Sequence, residues 1–436
     1  MRLKTWAASL AVALSLPFLH GCGNDDAQKG DVRLINATSE YATLDLYTRD
    51  SNGNDDLVVA GATPGAATAY TGVDKGTYTF DIKSGTGPGV AAHVSGTVSK
   101  GDHATVVAYL TGNALQAQFL TDEETAPASG NAKLRIFNAA STEAGSVDVY
   151  LTTNACSSLT VTDTALVAGV TGLQTGFSQV TASAAGTDWH VCVTTAGDKS
   201  TLRLDIPKLT LKDQEIATLI LTHTTGGVLL NGAVLDQQGA MTPYTSAIAR
   251  VRVAADPTAG QTTVDINGTE ITAAAAPQSI SSYVTLPSGS ALTTTVNIDG
   301  VVTNVTNLPA ATAGSDYTLL VTGTSSNPTA TLIADDNTVS TSTTQTVKAR
   351  VINGVNNGAG SVSATIDNKT VGSAAFKAAS AYFTIPATTG TSTVQASITT
   401  NPTSLVNQSF AANGVYTVFI WGDASGTPKL AVNQDR

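Results

Sequence analysis

Charge is scarce in this sequence. Of 436 residues only 13% are Asp, Glu, Lys or Arg, about half the roughly 25% usual for a soluble domain. Basic residues are the scarcer kind, 22 against 33 acidic ones, for a net charge of −11. A chain so poor in Lys and Arg has little with which to neutralise phosphates, so nucleic-acid binding is not expected. Aromatics are 5% and methionines two, which leaves a core of aliphatic and small residues. With 42% hydrophobic residues the chain can still bury enough apolar surface to fold, unlike a disordered segment. No G-x-S-x-G elbow is present, and the histidines at 93, 103 and 223 are scattered over separate strands and copies. No catalysis and no cofactor are expected.

The N-terminus carries Arg2 and Lys4 and then an apolar run from Trp6 to Leu19. That run suits the hydrophobic region of a signal peptide and is short for a transmembrane helix. It ends in Leu19-His20-Gly21-Cys22, followed by Gly23-Asn24-Asp25-Asp26. This resembles a bacterial lipoprotein signal, with His20 in place of the usual small residue. The resemblance implies cleavage after residue 21, acylation of Cys22 and a polar tether at 22–30. The implied partner is thus the membrane, reached through a lipid anchor. Gly23, where retained lipoproteins carry Asp, implies the outer membrane of a two-membrane host. The cysteine count agrees: lipidation of Cys22 leaves Cys156 and Cys192 as a pair.

Four segments open alike: Val32-Arg33-Leu34-Ile35-Asn36, Leu134-Arg135-Ile136-Phe137-Asn138, Val251-Arg252-Val253-Ala254-Ala255 and Ala349-Arg350-Val351-Ile352-Asn353. A second run carries an acid in three copies, at Asp45, Asp148 and Asp265; the fourth has Ser363. Later in the copies, Tyr283-Val-Thr-Leu-Pro parallels Tyr382-Phe-Thr-Ile-Pro. The ends match as well, as in Asp316-Tyr317-Thr318-Leu319-Leu320 and Val415-Tyr416-Thr417-Val418-Phe419. Each copy reads as short alternating runs of Val, Thr, Ile and Tyr between Gly, Asn, Asp and Pro, which predicts strands and turns. Roughly seven strands in about 100 residues predicts an all-β fold of tandem antiparallel, Ig-like β-sandwiches. The expected units are 31–122, 132–236, 247–335 and 347–436. Their connectors hold Asp122, Glu123, Glu124, Asp335 and Asp336, and the expectation is four beads held apart by solvated acidic strings.

Together these motifs resemble a widespread bacterial extracellular repeat catalogued only as a domain of unknown function. The resemblance implies a β-sandwich at the cell envelope and brings no activity or site residue with it. The expected role is structural, spacing or adhesive. The alternative is a glycan- or protein-binding module with the C-terminal domain as its tip.

Particular residues sharpen this. Cys156 and Cys192, in an exported chain, predict a disulfide; His190 nearby does not complete a zinc site with them. Asp188 and His190 would share a strand face, an arrangement read as structural. Asp50-Ser51-Asn52-Gly53-Asn54-Asp55-Asp56 resembles the start of a calcium loop, but Gly61 stands where the closing Glu belongs, so a hairpin tip and no metal is expected. The repeated Arg and the repeated acid of the second run predict a cross-strand ion pair. Phe419 and Trp421 alternate with Tyr416, Val418 and Ile420; outward-facing aromatics there would form a candidate binding surface, and the alternative is burial against the neighbouring domain or a covering loop.

Overall fold

The computed structural model describes residues 28–436 apart from 50–52, 85–88, 112–113, 142–144, 173, 225, 340–344, 356–359, 389, 399–400 and 423–428. The signal sequence and Cys22 lie outside the described residues, as does the start of the calcium-like loop.

The first copy holds eight strands: β1 (Lys29–Asn36), β2 (Leu44–Arg49), β3 (Asp55–Ala62), β4 (Thr71–Asp74), β5 (Gly76–Ser84), β6 (Val90–Val98), β7 (His103–Thr111) and β8 (Ala114–Thr121). They form two four-stranded sheets, ordered β4-β1-β7-β8 and β3-β2-β5-β6. The same two orders recur in each of the other three copies, with one extra strand, Met241–Tyr244, on the second copy and a divided fourth strand in the third. The strand count exceeds the sequence expectation because the short segment after Tyr70 and its equivalents also pairs with the opening strand. One pairing per copy is parallel, that of β1 with β7.

Alternation builds each core. In β1, Val32 and Leu34 point between the sheets, where Leu44, Leu46, Phe80, Ile82 and Val106 meet them. The repeated Asn closes the sandwich at its edge. Asn36 Nδ2 donates to the carbonyls of Tyr41 and Ala62, and its Oδ1 accepts from Thr38. Asn138 and Asn353 do the same in copies two and four.

The β4-β1-β7-β8 sheet is buried on its second face too. Ile35, Val107, Tyr109 and Leu120 of copy one pack against Phe137, Ile220, Ala233 and Leu235 of copy two. Ala254, Leu320 and Ile333 of copy three pack against Ile352, Phe419 and Trp421 of copy four. Copies one and two are therefore back to back, as are three and four. This corrects the expectation of beads on solvated strings. The near-continuous apolar character of strands such as Val415–Trp421, buried at every position, is what a sheet covered on both faces requires.

The connectors are tied down as well. Lys133 pairs with Glu124 and donates to the carbonyl of Thr125, while Asp213 accepts from Gly130 N at 2.6 Å and Ser129 Oγ at 2.9 Å. Between copies two and three, Ala247 N donates to Asp205 O at 2.9 Å. Gly226 of copy two lies so close to copy three that a Cβ there would stand 2.6 Å from Gly314 O.

Candidate functional site

All four copies treat the repeated Arg alike. Each lies directly opposite a Thr on the parallel partner strand: Arg33 with Thr105, Arg135 with Thr218, Arg252 with Thr318, Arg350 with Thr417. In each pair Nε donates to the Thr hydroxyl, at 2.7–3.2 Å. An aromatic ring lies over each guanidinium, from Tyr70, Phe177, Tyr283 and Tyr382.

The charge partner is not the acid of the second run. It is the Asp that closes a copy. Asp335 accepts from Tyr283 Oη at 2.6 Å and Thr318 Oγ1 at 2.7 Å, pairs with Arg350, and lies 3.8 Å from Arg252 Nε. Arg252 also pairs with Asp435 across the interface. In the first pair, Asp122 lies 3.7 Å from Arg33 and 3.8 Å from Arg135. Arg33 donates onward to the carbonyls of Asp236 and Gly239 in copy two. The expected cross-strand pair is thus corrected. Asp45 accepts from Gly61 N, and Asp148 from Gly169 N and Gly197 N, so these acids hold turns. Arg350 is as buried as the other three although copy four lacks that acid. Asp122 and Asp335, expected to keep the copies apart, join them instead.

Phe419 and Trp421 are a further correction. They do alternate with the core residues, but their face meets copy three. Both are fully buried, with rings stacked at 5.0 Å. A binding surface is not available there, because the neighbouring sheet covers it.

The disulfide between Cys156 and Cys192 is formed. It ties the loop after Tyr150 to the strand Thr187–Thr195. Lys199 Nζ holds the same loop by donating to the carbonyls of Thr160 and Val161. Reducing the bond is expected to lower the stability of copy two by about 4 kcal/mol in the chain-entropy picture, measured as a shift of its urea midpoint with and without reductant. His190 and Asp188 do not act together. Asp188 is exposed and pairs with Lys208 at 2.8 Å, whereas His190 lies 4.0 Å from Asp205. Asp205 is a residue that sequence reasoning did not single out; its carboxyl is pushed up by burial.

Cys156 and Asp205 line a groove of about 1230 Å³ between copies two and three, with Tyr150, Leu159 and Lys199 on one wall and Ile248, Leu286 and Pro287 on the other. Its lining mixes apolar and charged side chains, and its open shape suits an extended ligand better than a buried small one.

A second cluster joins copies one and two. Ser39 Oγ lies 2.9 Å and Glu40 Oε1 3.0 Å from His223 Nε2. Both oxygens meet the same ring nitrogen, so the His cannot relay a proton from serine to carboxylate as a triad does. Its chemistry is that of a latch. Burial pushes the Glu40 carboxyl up, but the His223 hydrogen bond and charge outweigh it and hold it at about 2, against 4.5 ordinarily. A depressed carboxylate stabilises the fold above its unfolded value and loses that effect as pH falls toward the folded one. The gap in thermal midpoint between the natural chain and Glu40→Gln is therefore expected at pH 5 and should close by pH 2.

The family described as Domain of unknown function (DUF4397) matches residues 30–150 and 249–365. No curated protein matches the sequence. Among solved structures, a candidate cell adhesion protein from Bacteroides uniformis is 12% identical, with a TM-score of 0.21 over 48% of this chain and 99% of that one. A family 26 carbohydrate-binding module from Eubacterium rectale, solved with maltoheptaose, is 12% identical, with a TM-score of 0.16 over 48% and 97%. The major pilin subunit of Bacillus cereus is 11% identical, with a TM-score of 0.13 over 91% and 99%. Superpositions this loose carry no argument about function.

Proposed function

Because this chain belongs to the DUF4397 family, a membership that brings no activity with it, we propose a structural, adhesion-type role for it at the bacterial cell envelope. In this reading Cys22 is lipidated, the chain is held at the outer membrane, and the sandwiches present surface away from the lipid. No catalytic role is part of the proposal.

One observation carries it: the buried Arg–Thr–Asp clusters and apolar faces that lock the copies in pairs. A presenter under load needs neighbouring domains that do not hinge freely, and an apolar interface with buried ion pairs resists hinging. Pulled from its ends in a single-molecule force experiment, residues 31–436 are expected to yield in two cooperative steps, one per pair. Four independent steps would remove the basis of the reading. For the anchor, a fatty-acid probe is expected to label the natural chain and not Cys22→Ser.

A binding role is the second reading, favoured by the groove between copies two and three rather than by a C-terminal tip. Retention of one glycan or protein by residues 31–436 in a pull-down from intact envelopes, lost on Lys199→Glu, is the expected result if this reading holds.

A further inference from the structure

We propose that the cysteine pair of copy two, when reduced, forms a zinc site with His190 and Asp205. The sequence offers two thiols and one imidazole, one ligand short of a closed site. The fold supplies the fourth. Asp205 stands directly opposite Cys192 on the neighbouring strand, and its Oδ1 lies 3.2 Å from Cys156 Sγ. His190 Nδ1 lies 4.0 Å from the same carboxylate oxygen. The Cys156, His190 and Asp205 donor atoms all fall within 4.8 Å of one another. Four ligands around a tetrahedral zinc ion stand roughly 3.3–3.8 Å apart, given metal–ligand bonds of about 2.0–2.3 Å. Three of the four donors thus stand near that spacing before any ion arrives; Cys192 Sγ, bonded to Cys156 Sγ in the disulfide, has to swing away from it once the bond is cut.

A second observation points to a missing ligand. His190 Nδ1 is buried and has no hydrogen-bond partner among the described residues. An orphaned ring nitrogen costs free energy, and a metal ion would satisfy it. The groove supplies an entry path, since Cys156 and Asp205 both line it.

The chemistry balances with a dithiol or phosphine reductant. Two electrons cleave the Cys156–Cys192 bond and two protons make both thiols. Zinc binding then releases those two protons to solvent as the thiolates form. The ligand set becomes two thiolates, one neutral imidazole and one carboxylate. While the disulfide is intact, neither sulfur is a thiolate and the set is incomplete. The site is therefore open to zinc only under reducing conditions, and zinc then cross-links the same loop that the disulfide held.

The test is zinc titration of the purified chain, read by competition with a chromophoric chelator and by native mass spectrometry. With phosphine reductant present, one zinc ion per chain is expected; the oxidised chain should take up none. Asp205→Asn and His190→Ala should each weaken uptake by more than about tenfold. Cobalt(II) should give thiolate charge-transfer and tetrahedral ligand-field bands in the reduced natural chain, and the ligand-field pattern should change in both variants. Circular dichroism follows folding throughout. No uptake by the reduced chain overturns the proposal. So does uptake unchanged in both variants, or a reduced chain that unfolds and that zinc does not refold.

Discussion

Replacing Asp335 by Ala should destabilise copies three and four by about 3–5 kcal/mol, the cost of leaving buried charge without its partner. Asp335 is buried and is the point at which Tyr283, Thr318 and Arg350 converge, with Arg252 beside it. Its removal strands the Arg350 guanidinium. That group also donates to Ala334 O at 2.8 Å, but a carbonyl dipole does not replace a carboxylate. Tyr283, whose hydroxyl is pushed well up by burial and by the Asp335 charge, loses its acceptor as well. The measurement is urea unfolding of residues 31–436 followed at Trp421. A control separates charge from packing: Arg350→Met in the Asp335→Ala background should recover part of the loss, because it removes the stranded charge. If the double variant is no more stable than the single one, the effect lies in packing rather than in uncompensated charge.

Trp421→Ala should cost a similar amount, about 3–5 kcal/mol, for a different reason. The indole is fully buried between copies, stacked on Phe419 and packed with Leu320 and Ile352. Gly354 leaves room for it: a Cβ at that position would stand 2.9 Å from the ring. A cavity at this point loosens copy four from copy three as well as lowering stability. Hydrogen exchange should therefore rise along Thr346–Asn353 and Val415–Trp421, while copies one and two stay unchanged. Trp421→Phe should cost much less than the Ala variant. It keeps most of the stack, and it removes an indole N–H that has no acceptor among the described residues.

Both variants act on the same interface, and that interface was only half visible in the sequence. The opening Arg was plain at Arg33, Arg135, Arg252 and Arg350, and its recurrence in a low-charge chain marked it as structural. Its partner was also present as a repeated residue, the Asp that ends copies one, three and four at Asp122, Asp335 and Asp435. Spacing favoured Asp45, Asp148 and Asp265 instead, because they follow the Arg closely. Chain proximity misled here: the strand that pairs with β1 is the seventh, and only that parallel pairing places the Thr and the closing Asp beside the guanidinium.

Phe419 and Trp421 follow the same pattern. Period-two alternation correctly placed them opposite Tyr416, Val418 and Ile420. It could not say whether the second face meets water or another sheet, since alternation is a property of one strand and burial a property of its neighbours. The apolar unbroken strand was a signal for double coverage that could have been used. Asp205 left no such signal, because nothing local marks an acid that faces a cysteine on the neighbouring strand.

The sequence by itself determined the all-β class, the fourfold repetition and the cysteine pair. Turn residues, strand periodicity and the cysteine count are local or countable, so each can be read without knowing any long-range contact. Tertiary structure alone decided that the copies are locked in pairs, that the linker acids Asp122 and Asp335 are buried counter-ions rather than solvated spacers, and that Asp205 joins Cys156 and His190. Those outcomes depend on which sheet face is covered and on a parallel pairing between the two ends of each copy. Both are set by the mutual burial of surfaces distant in the chain, and period and composition carry no record of them.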